Sequence, residues 1–424
     1  MKRWVLMLLL ALVCCVCASC AAEDADLRQT DRLLLYCREY EQSSIRNAVA
    51  QFQKLYPDVE VECRVFSSST EEYTQLLRTE VMAGKGPDLL LFGDYDFQDI
   101  EKVMEAGVFF DINTFMNEDD TFDPSQFQPN VFDGGCYKGA RLYIPLDYVV
   151  MEAVTTEQTM QAFGISLSED ASLEDWMREF VGWQQAHTNG TQVLMNCAVE
   201  NPYYYCTYFN VRFLDLETGA FGIDDPTFRL FMDFLKNRFP KLEYGENNPR
   251  FPTNLSLEQA ILNDQLFCQI HILHQDWNQS ICHTLSESRT ARSFVLPSMG
   301  SDVPVATSHT MAAINTGSLN KYNAYAFLKI LLSPTIQLQR NIIIPVNLEA
   351  LTTELKLLKA QYGLTDDQTD AMYADYQQLR YEHPLSYAQY ALFEDAMRPW
   401  FLDEKSYADC LTDFRGRLEL YMDE

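Results

Sequence analysis

The sequence predicts an α/β protein of two lobes, on three observations. Apolar strand-like runs alternate with stretches of helical periodicity through the first hundred residues after the N-terminus. The chain has 424 residues, more than one compact core usually holds. Neither an internal repeat nor a low-complexity block offers another way to fill that length.

The elements justify this reading in order. Arg32 to Cys37 (RLLLYC) is a buried-strand run, and Ser43-Ser44 offers caps to the segment that follows. There Ile45, Val49, Phe52 and Leu55 recur at helical spacing until Pro57 stops them. Val59 to Phe66 alternates apolar with charged residues, as a second strand does. Tyr73, Leu76, Leu77 and Val81 form a second helix face, closed by Gly84 and Gly86-Pro87. Asp88 to Phe92 (DLLLF) is a third strand with the uninterrupted apolar pattern of a parallel sheet. Strand, helix, strand, helix, strand is the α/β signature. At the far end Tyr407, Leu411, Phe414, Leu418 and Tyr421 make one apolar stripe on a packed helix.

The N-terminus carries a different signal. Lys2 and Arg3 precede thirteen apolar residues, Trp4 to Val16, too few to cross a bilayer of about 30 Å as a helix. Ala18-Ser19 then leads into Cys20, which resembles a bacterial lipobox with Cys17 where an aliphatic residue is usual. Residues 1–20 are expected to be a lipoprotein signal peptide, with Cys20 lipidated and residues 21–30 a polar tether. The alternative is an ordinary cleaved signal peptide ending near Ala22. Without residues 1–20 the chain has 30 basic and 61 acidic side chains, a charge of −31. That disfavours nucleic acid and anionic lipid surfaces as partners.

Of twelve cysteines, Cys14, Cys15, Cys17 and Cys20 fall in this leader. Cys197 with Cys206 and Cys268 with Cys282 are near enough in sequence to pair, which spacing alone does not establish. Cys268, His271, His274, Cys282 and His283 bring metal-ligating residue types together, yet strand alternation across Phe267 to Ile272 turns Cys268 and His271 to opposite faces. No metal or cofactor is expected. Nor is catalysis: the chain lacks a Gly-x-Ser-x-Gly elbow, a His-Glu-x-x-His pair and a phosphate-binding glycine loop.

The run Phe52 to Val61 (FQKLYPDVEV), the helix after it, and Met82 to Leu89 (MAGKGPDL) resemble the first lobe of family 1 extracellular solute-binding proteins. Further markers follow in family order: Glu105 to Ile112, Tyr137 to Pro145 (YKGARLYIP), Asp215 to Leu235, Ala324 to Lys329 with Ser333 to Gln337, and Ile344 to Asn347. The family's Tyr-Asn-Lys triplet has no counterpart, that stretch reading Ala153 to Glu157 (AVTTE). The resemblance implies a type II periplasmic-binding-protein-like fold with a hinge between its lobes. It puts residues 31–146 with 306–345 in the first lobe and 147–305 with 346–424 in the second.

It also implies an ABC-importer receptor for a carbohydrate, anchored on the outer face of the membrane, monomeric, and delivering its ligand to permease subunits. Aromatic faces and fixed acceptors suit a sugar. Tyr203 and Tyr204 resemble the Glu-Pro-Tyr loop of maltose-type receptors, and Trp277 lies where the family's second-lobe tryptophan usually sits. Tyr40 and Glu41 follow the first strand, Asp94 and Tyr95 the third, and Asp147 and Tyr148 follow Pro145 at the hinge. Asn315 and Asn347 are weaker candidates. Other classes sharing the features are a ligand-sensing lipoprotein without transport and an extracellular glycosidase.

Overall fold

The run predicted as the first strand is β1 (Arg32–Arg38), and period-two alternation divides it between two helix layers. Leu33, Leu35 and Cys37 enter one core cluster and Tyr36 the other. The computed structural model describes residues 30–67, 70–93, 96–168, 170–187, 192–196, 201–239, 255–272, 276–301, 303–339 and 344–423. β2 (Glu60–Phe66) lies parallel to β1 and is largely solvent-facing, as an edge strand can be. β3 (Leu89–Gly93) is buried at every position, its apolar run having helices on both sides. The helix Gln42–Leu55 buries Ile45, Ala48 and Phe52 on one face of this sheet, while Thr70–Met82 buries Tyr73, Leu77 and Val81 on the other. Ser44, expected as a cap, lies inside the first helix, where its hydroxyl donates to the carbonyl of Glu41 at 2.9 Å.

A small hairpin of β4 (Cys136–Tyr137) and β5 (Ala140–Arg141) leads into β6 (Ile144–Pro145) and β7 (Asp147–Tyr148). Then come β8 (Met151–Thr156), β9 (Val193–Asn196), β10 (Leu266–Ile272) and β11 (Ala291–Val295). The chain continues through β12 (Val305–Ala306), β13 (Thr310–Ile314), β14 (Ile344–Pro345) and β15 (Arg380–Tyr381). The first sheet has the order β2-β1-β3-β13-β6, with β13 antiparallel to both neighbours. The second is β11-β8-β10-β9. Each sheet has its own core, and that of the second lobe is crowded with aromatic rings, Trp176, Phe180, Phe234 and Phe267 among them.

Between the lobes the chain passes from β6 to β8, returns from β11 to β13, and crosses again from Leu379, in the first core, to Leu385, in the second. The passages are laced together: β7 pairs with β14, β12 with β15, and Val149 bridges Thr307. Glycine permits the close packing here, since a Cβ on Gly134 would meet the Tyr381 ring at 2.5 Å.

The domain expectation is corrected in one part. Leu351, Leu355, Tyr376 and Leu379 belong to the first lobe's core, so the segment after residue 345 stays with the first lobe and joins the second only near Leu385. The apolar stripe of the C-terminal helix Tyr407–Asp423 packs as expected, with Phe414 and Leu418 fully buried.

The Gly-Pro-Asp motif before β3 has a structural task. Asp88 accepts from the Leu34 amide at 2.6 Å, from the Ser318 hydroxyl at 2.6 Å and from the Asn320 amide nitrogen, clamping β1 to the loop after β13. Asn315 donates to the carbonyls of Lys85 and Pro87, and Asn347 caps the helix Leu348–Tyr362 through the amides of Glu349 and Ala350. Both asparagines are buried and held within the fold.

Candidate ligand-binding cleft

The carboxyl ends of β1 and β3 and the amino end of β13 meet on one edge of the first sheet. This is where an open α/β sheet offers its loops to a ligand. A buried ion pair holds that edge: the Arg38 guanidinium binds the Asp96 carboxylate and lies over the Tyr73 ring, 4.2 Å from its centroid. Asp96 also accepts from the Gly93 amide at 2.7 Å and the Thr74 hydroxyl at 2.6 Å. Such a buried, hydrogen-bonded pair rigidifies the two strand ends it joins.

Beside the segment that follows β3, the second lobe presents tyrosines. Asn201 caps the helix Pro202–Tyr208 by accepting from the Tyr204 amide at 3.1 Å, and so sets Tyr203 and Tyr204 on its first turn. The Tyr203 ring lies 5.4 Å from Tyr204, 5.4 Å from Tyr387 and 5.1 Å from Tyr390, in edge-to-face arrangements. Its hydroxyl donates to the Leu385 carbonyl at 3.2 Å. Tyr387, on the first turn of the helix Tyr387–Phe401, is 55% exposed. The lobes touch beside it: the carbonyl of Gln98 accepts from the Ala388 amide and the Ser386 hydroxyl, each at 3.2 Å. The tyrosine group therefore borders the segment that follows β3.

A second interlobe region has the opposite character. A cavity of about 480 Å³ is lined from the first lobe by Glu101 and Asp133, from the second by Arg212 and Asp215, and by Glu382 and His383 of the crossing chain. Arg212 reaches Glu382 at 2.6 Å, Glu101 at 3.3 Å and Asp215 at 3.7 Å. Burial pushes the Glu101 carboxyl up to about 7 against the pull of Arg212. Burial likewise lowers His383 to about 3, so it is neutral, with Nδ1 2.7 Å from the Tyr143 hydroxyl.

The residues expected to bind ligand separate into groups. Tyr203 and Tyr204 stand together on the second lobe's rim, and Tyr40 is 52% exposed just beyond the end of β1. Three others are taken into the fold. Glu41 is buried and accepts from the Arg38 amide at 3.2 Å. Asp147 is buried and accepts from the Thr310 amide at 2.7 Å, fastening the hinge. Tyr148 is fully buried, edge-on to Tyr376. Asp94, Tyr95 and Cys20 lie outside the described residues. Trp277 falls in the first turn of the helix Asp276–Ser286 rather than in a loop, and its side chain is outside the described residues.

Of the metal-ligating types, Cys268 is buried with its thiol directed to the Leu194 carbonyl at 3.5 Å, and His274 is not described. No group of three or more such side chains that could hold a metal occurs among the described residues. Cys206, Cys268 and Cys282 are free thiols, and Cys197 is not described. No described helix is long and apolar enough to cross a membrane.

Sequence reasoning missed Tyr387 and the Arg212 cluster. Tyr387 had a local signal, two tyrosines three apart behind a Ser386 cap, but its adjacency to Tyr203 exists only in the folded chain. Arg212, Glu101 and Glu382 come from three distant segments with no shared pattern.

Comparison with known proteins agrees with this architecture. The profile of the family described as bacterial extracellular solute-binding protein matches residues 39–156. No curated protein matches the chain. Among solved structures, the ABC substrate-binding protein Lmo0181 from Listeria monocytogenes, in complex with cycloalternan, is 14% identical with a TM-score of 0.61, over 92% of this chain and 99% of that one. Maltose-bound MalE3 of T. maritima is also 14% identical, TM-score 0.58, over 92% and 99%. The GacH receptor of Streptomyces glaucescens, studied unliganded and with acarbose, is 12% identical, TM-score 0.57, over 94% and 100%. With its profile match over residues 39–156 and its two-lobed fold, the chain is similar to the bacterial extracellular solute-binding proteins and shares the two-lobed fold of these structures.

Proposed function

We propose that this protein is the receptor of an ABC importer for a carbohydrate, an oligosaccharide in particular, held at the outer face of the cell membrane by a lipid on Cys20. The observation that carries the reading is the tyrosine group on the rim of a lobe junction, with Tyr387 exposed and Tyr203 and Tyr204 half-buried beside it. A pyranose has one face of C–H groups that suits a tyrosine ring, while its hydroxyls take hydrogen bonds from polar groups around it. The structural relatives bound to cycloalternan and maltose give the same direction.

The Arg212 cavity is the weaker ligand site despite its volume. Its charges already satisfy one another, Arg212 with three carboxylates and Arg380 with Glu382, so a neutral sugar would have to displace ion pairs to be held. The charge of −31 left without residues 1–20 also works against phosphorylated sugars and anionic peptides.

In this reading the ligand binds the tyrosine rim first and the lobes close over it about the laced passages. Closure is linked to transport because the permease recognises a state that only bound ligand populates. No covalent chemistry is required of the chain.

A thermal-shift panel tests the ligand class, with maltose, maltotriose, cellobiose and raffinose set against a tripeptide, spermidine and zinc. Saturation at one hundred times Kd stabilises the folded state by about 2.7 kcal/mol, several degrees in Tm. A response confined to one saccharide series is expected. A response to peptide, polyamine or zinc with silence from every saccharide would overturn the proposal.

A further inference from the structure

We propose that Cys37 and Cys63 form a reversible intramolecular disulfide, which fastens the edge strand of the first sheet beside the cleft. The two residues sit on the adjacent parallel strands β1 and β2, where Leu35 pairs with Cys63 and Cys37 with Val65. They are thus diagonal neighbours on one face of the sheet. Their sulfurs stand 3.6 Å apart. A disulfide bond is about 2.05 Å long, so the sulfurs must approach by about 1.5 Å. β2 can yield that distance, because it is the outer strand of its sheet, pairs there with β1 alone, and is mostly exposed.

The exposure of the two thiols divides their roles. Cys63 is exposed and Cys37 buried, so an external disulfide can reach Cys63 while Cys37 waits behind it. Their contact supports the same order: the hydrogen bond from Cys37 lowers the Cys63 thiol, and the same bond together with burial raises Cys37.

The chemistry closes with an oxidant of the disulfide class, either a small molecule such as oxidised glutathione or a thiol-disulfide oxidoreductase. Cys63 thiolate attacks one sulfur of that disulfide, forming a mixed disulfide and releasing a thiolate. Cys37 then gives up its proton and attacks the Cys63 sulfur, forming the intramolecular bond and releasing the second thiol. Two protein thiols are oxidised and one external disulfide is reduced to two thiols.

The next residue of β1 after Cys37 is Arg38, whose ion pair with Asp96 holds the cleft edge, and the exposed Tyr40 lies just beyond. Oxidation therefore adds a covalent tie at the root of one wall of the candidate site. That such oxidants surround the protein rests on the extracellular reading above. The test below uses defined buffers and does not depend on it.

The full chain in mild detergent is equilibrated across graded ratios of oxidised to reduced glutathione, quenched with acid, alkylated and digested with trypsin without reduction. Cleavage separates Leu33–Arg38 from Leu55–Arg64, one thiol in each. The expected product is these two peptides joined, lighter by two hydrogens than their sum, replaced by two alkylated peptides as the buffer becomes reducing. Cys37→Ser is expected to stop at a glutathione adduct on Cys63, and to lose the rise of several degrees in Tm that oxidation gives the wild type. The proposal is overturned if both peptides remain alkylated at every ratio. It is equally overturned if wild-type Cys63 stops at the glutathione adduct, or if either thiol pairs elsewhere. Any of these results leaves the carbohydrate reading untouched.

Discussion

The two interlobe regions of this protein solve different problems with different side chains. The tyrosine rim, with Tyr203, Tyr204 and Tyr387, is uncharged and carries exposed aromatic surface. The cavity around Arg212 is charged and self-satisfied, its guanidinium shared among Glu101, Asp215 and Glu382 from three segments. Exposed aromatic surface gains by being covered, so it favours a ligand. Buried paired charge loses heavily when one partner leaves, so it favours keeping the lobes in register. In the proposed reading the contrast separates binding from hinge mechanics within one lobe junction.

The largest expected effect breaks the charged side. Arg212→Ala leaves the buried Glu101 facing a cavity without its cation, Glu382 keeping Arg380, and denaturant unfolding at pH 8 should show a loss of about 4 kcal/mol. The loss should shrink at pH 6, where Glu101 takes up a proton.

The wild type should show a related pH dependence. The folded state holds Glu101 at about 7, above its ordinary 4.5, chiefly through burial. Between these values the folded chain binds the proton and the unfolded chain does not. Stability is therefore highest below 4.5, as far as this group is concerned, and declines as pH rises to 7, by about 3 kcal/mol. Glu152 adds to the same trend, raised to about 8 by burial. Glu101→Gln should flatten its share of the slope in urea titrations at stepped pH, whereas an unchanged slope would remove Glu101 from the account.

On the tyrosine side the effects move from stability to affinity. Tyr204→Ala should weaken saccharide binding about 30-fold, or about 2 kcal/mol, while the apo protein keeps its unfolding midpoint within about 1 °C. Tyr387→Phe retains the ring and should change affinity by less than about twofold. A large loss from removing that hydroxyl alone would mean hydrogen bonding, not stacking, governs the rim.

What could be read in advance follows from how local each signal is. β1, β2 and β3 were legible because an apolar run between helix-periodic segments has few other uses. The helix Leu348–Tyr362 buries Leu351, Leu355 and Leu358, but nothing local in that spacing says against which lobe. Its assignment to the second lobe failed for that reason. The site divides in the same way. Tyr203 and Tyr204 stand out by resemblance to a Glu-Pro-Tyr loop, and the structure places them instead on the first turn of a helix. Glu41, Asp147 and Tyr148 also sit at strand ends, but tertiary packing buries them and gives Glu41 and Asp147 backbone amides to hold. Polar residues at strand ends serve ligands and hinges alike, and only burial tells the two apart.

The central claim is that saccharide is held by the tyrosine rim and not by the charged cavity. Titration calorimetry of the panel's saccharide against wild type, a Tyr203→Ala/Tyr204→Ala/Tyr387→Ala variant and Glu382→Gln tests it most directly. The account predicts that binding disappears from the tyrosine variant and survives in Glu382→Gln within about threefold. Undiminished affinity in the tyrosine variant, or binding abolished by Glu382→Gln alone in a folded protein, would contradict it.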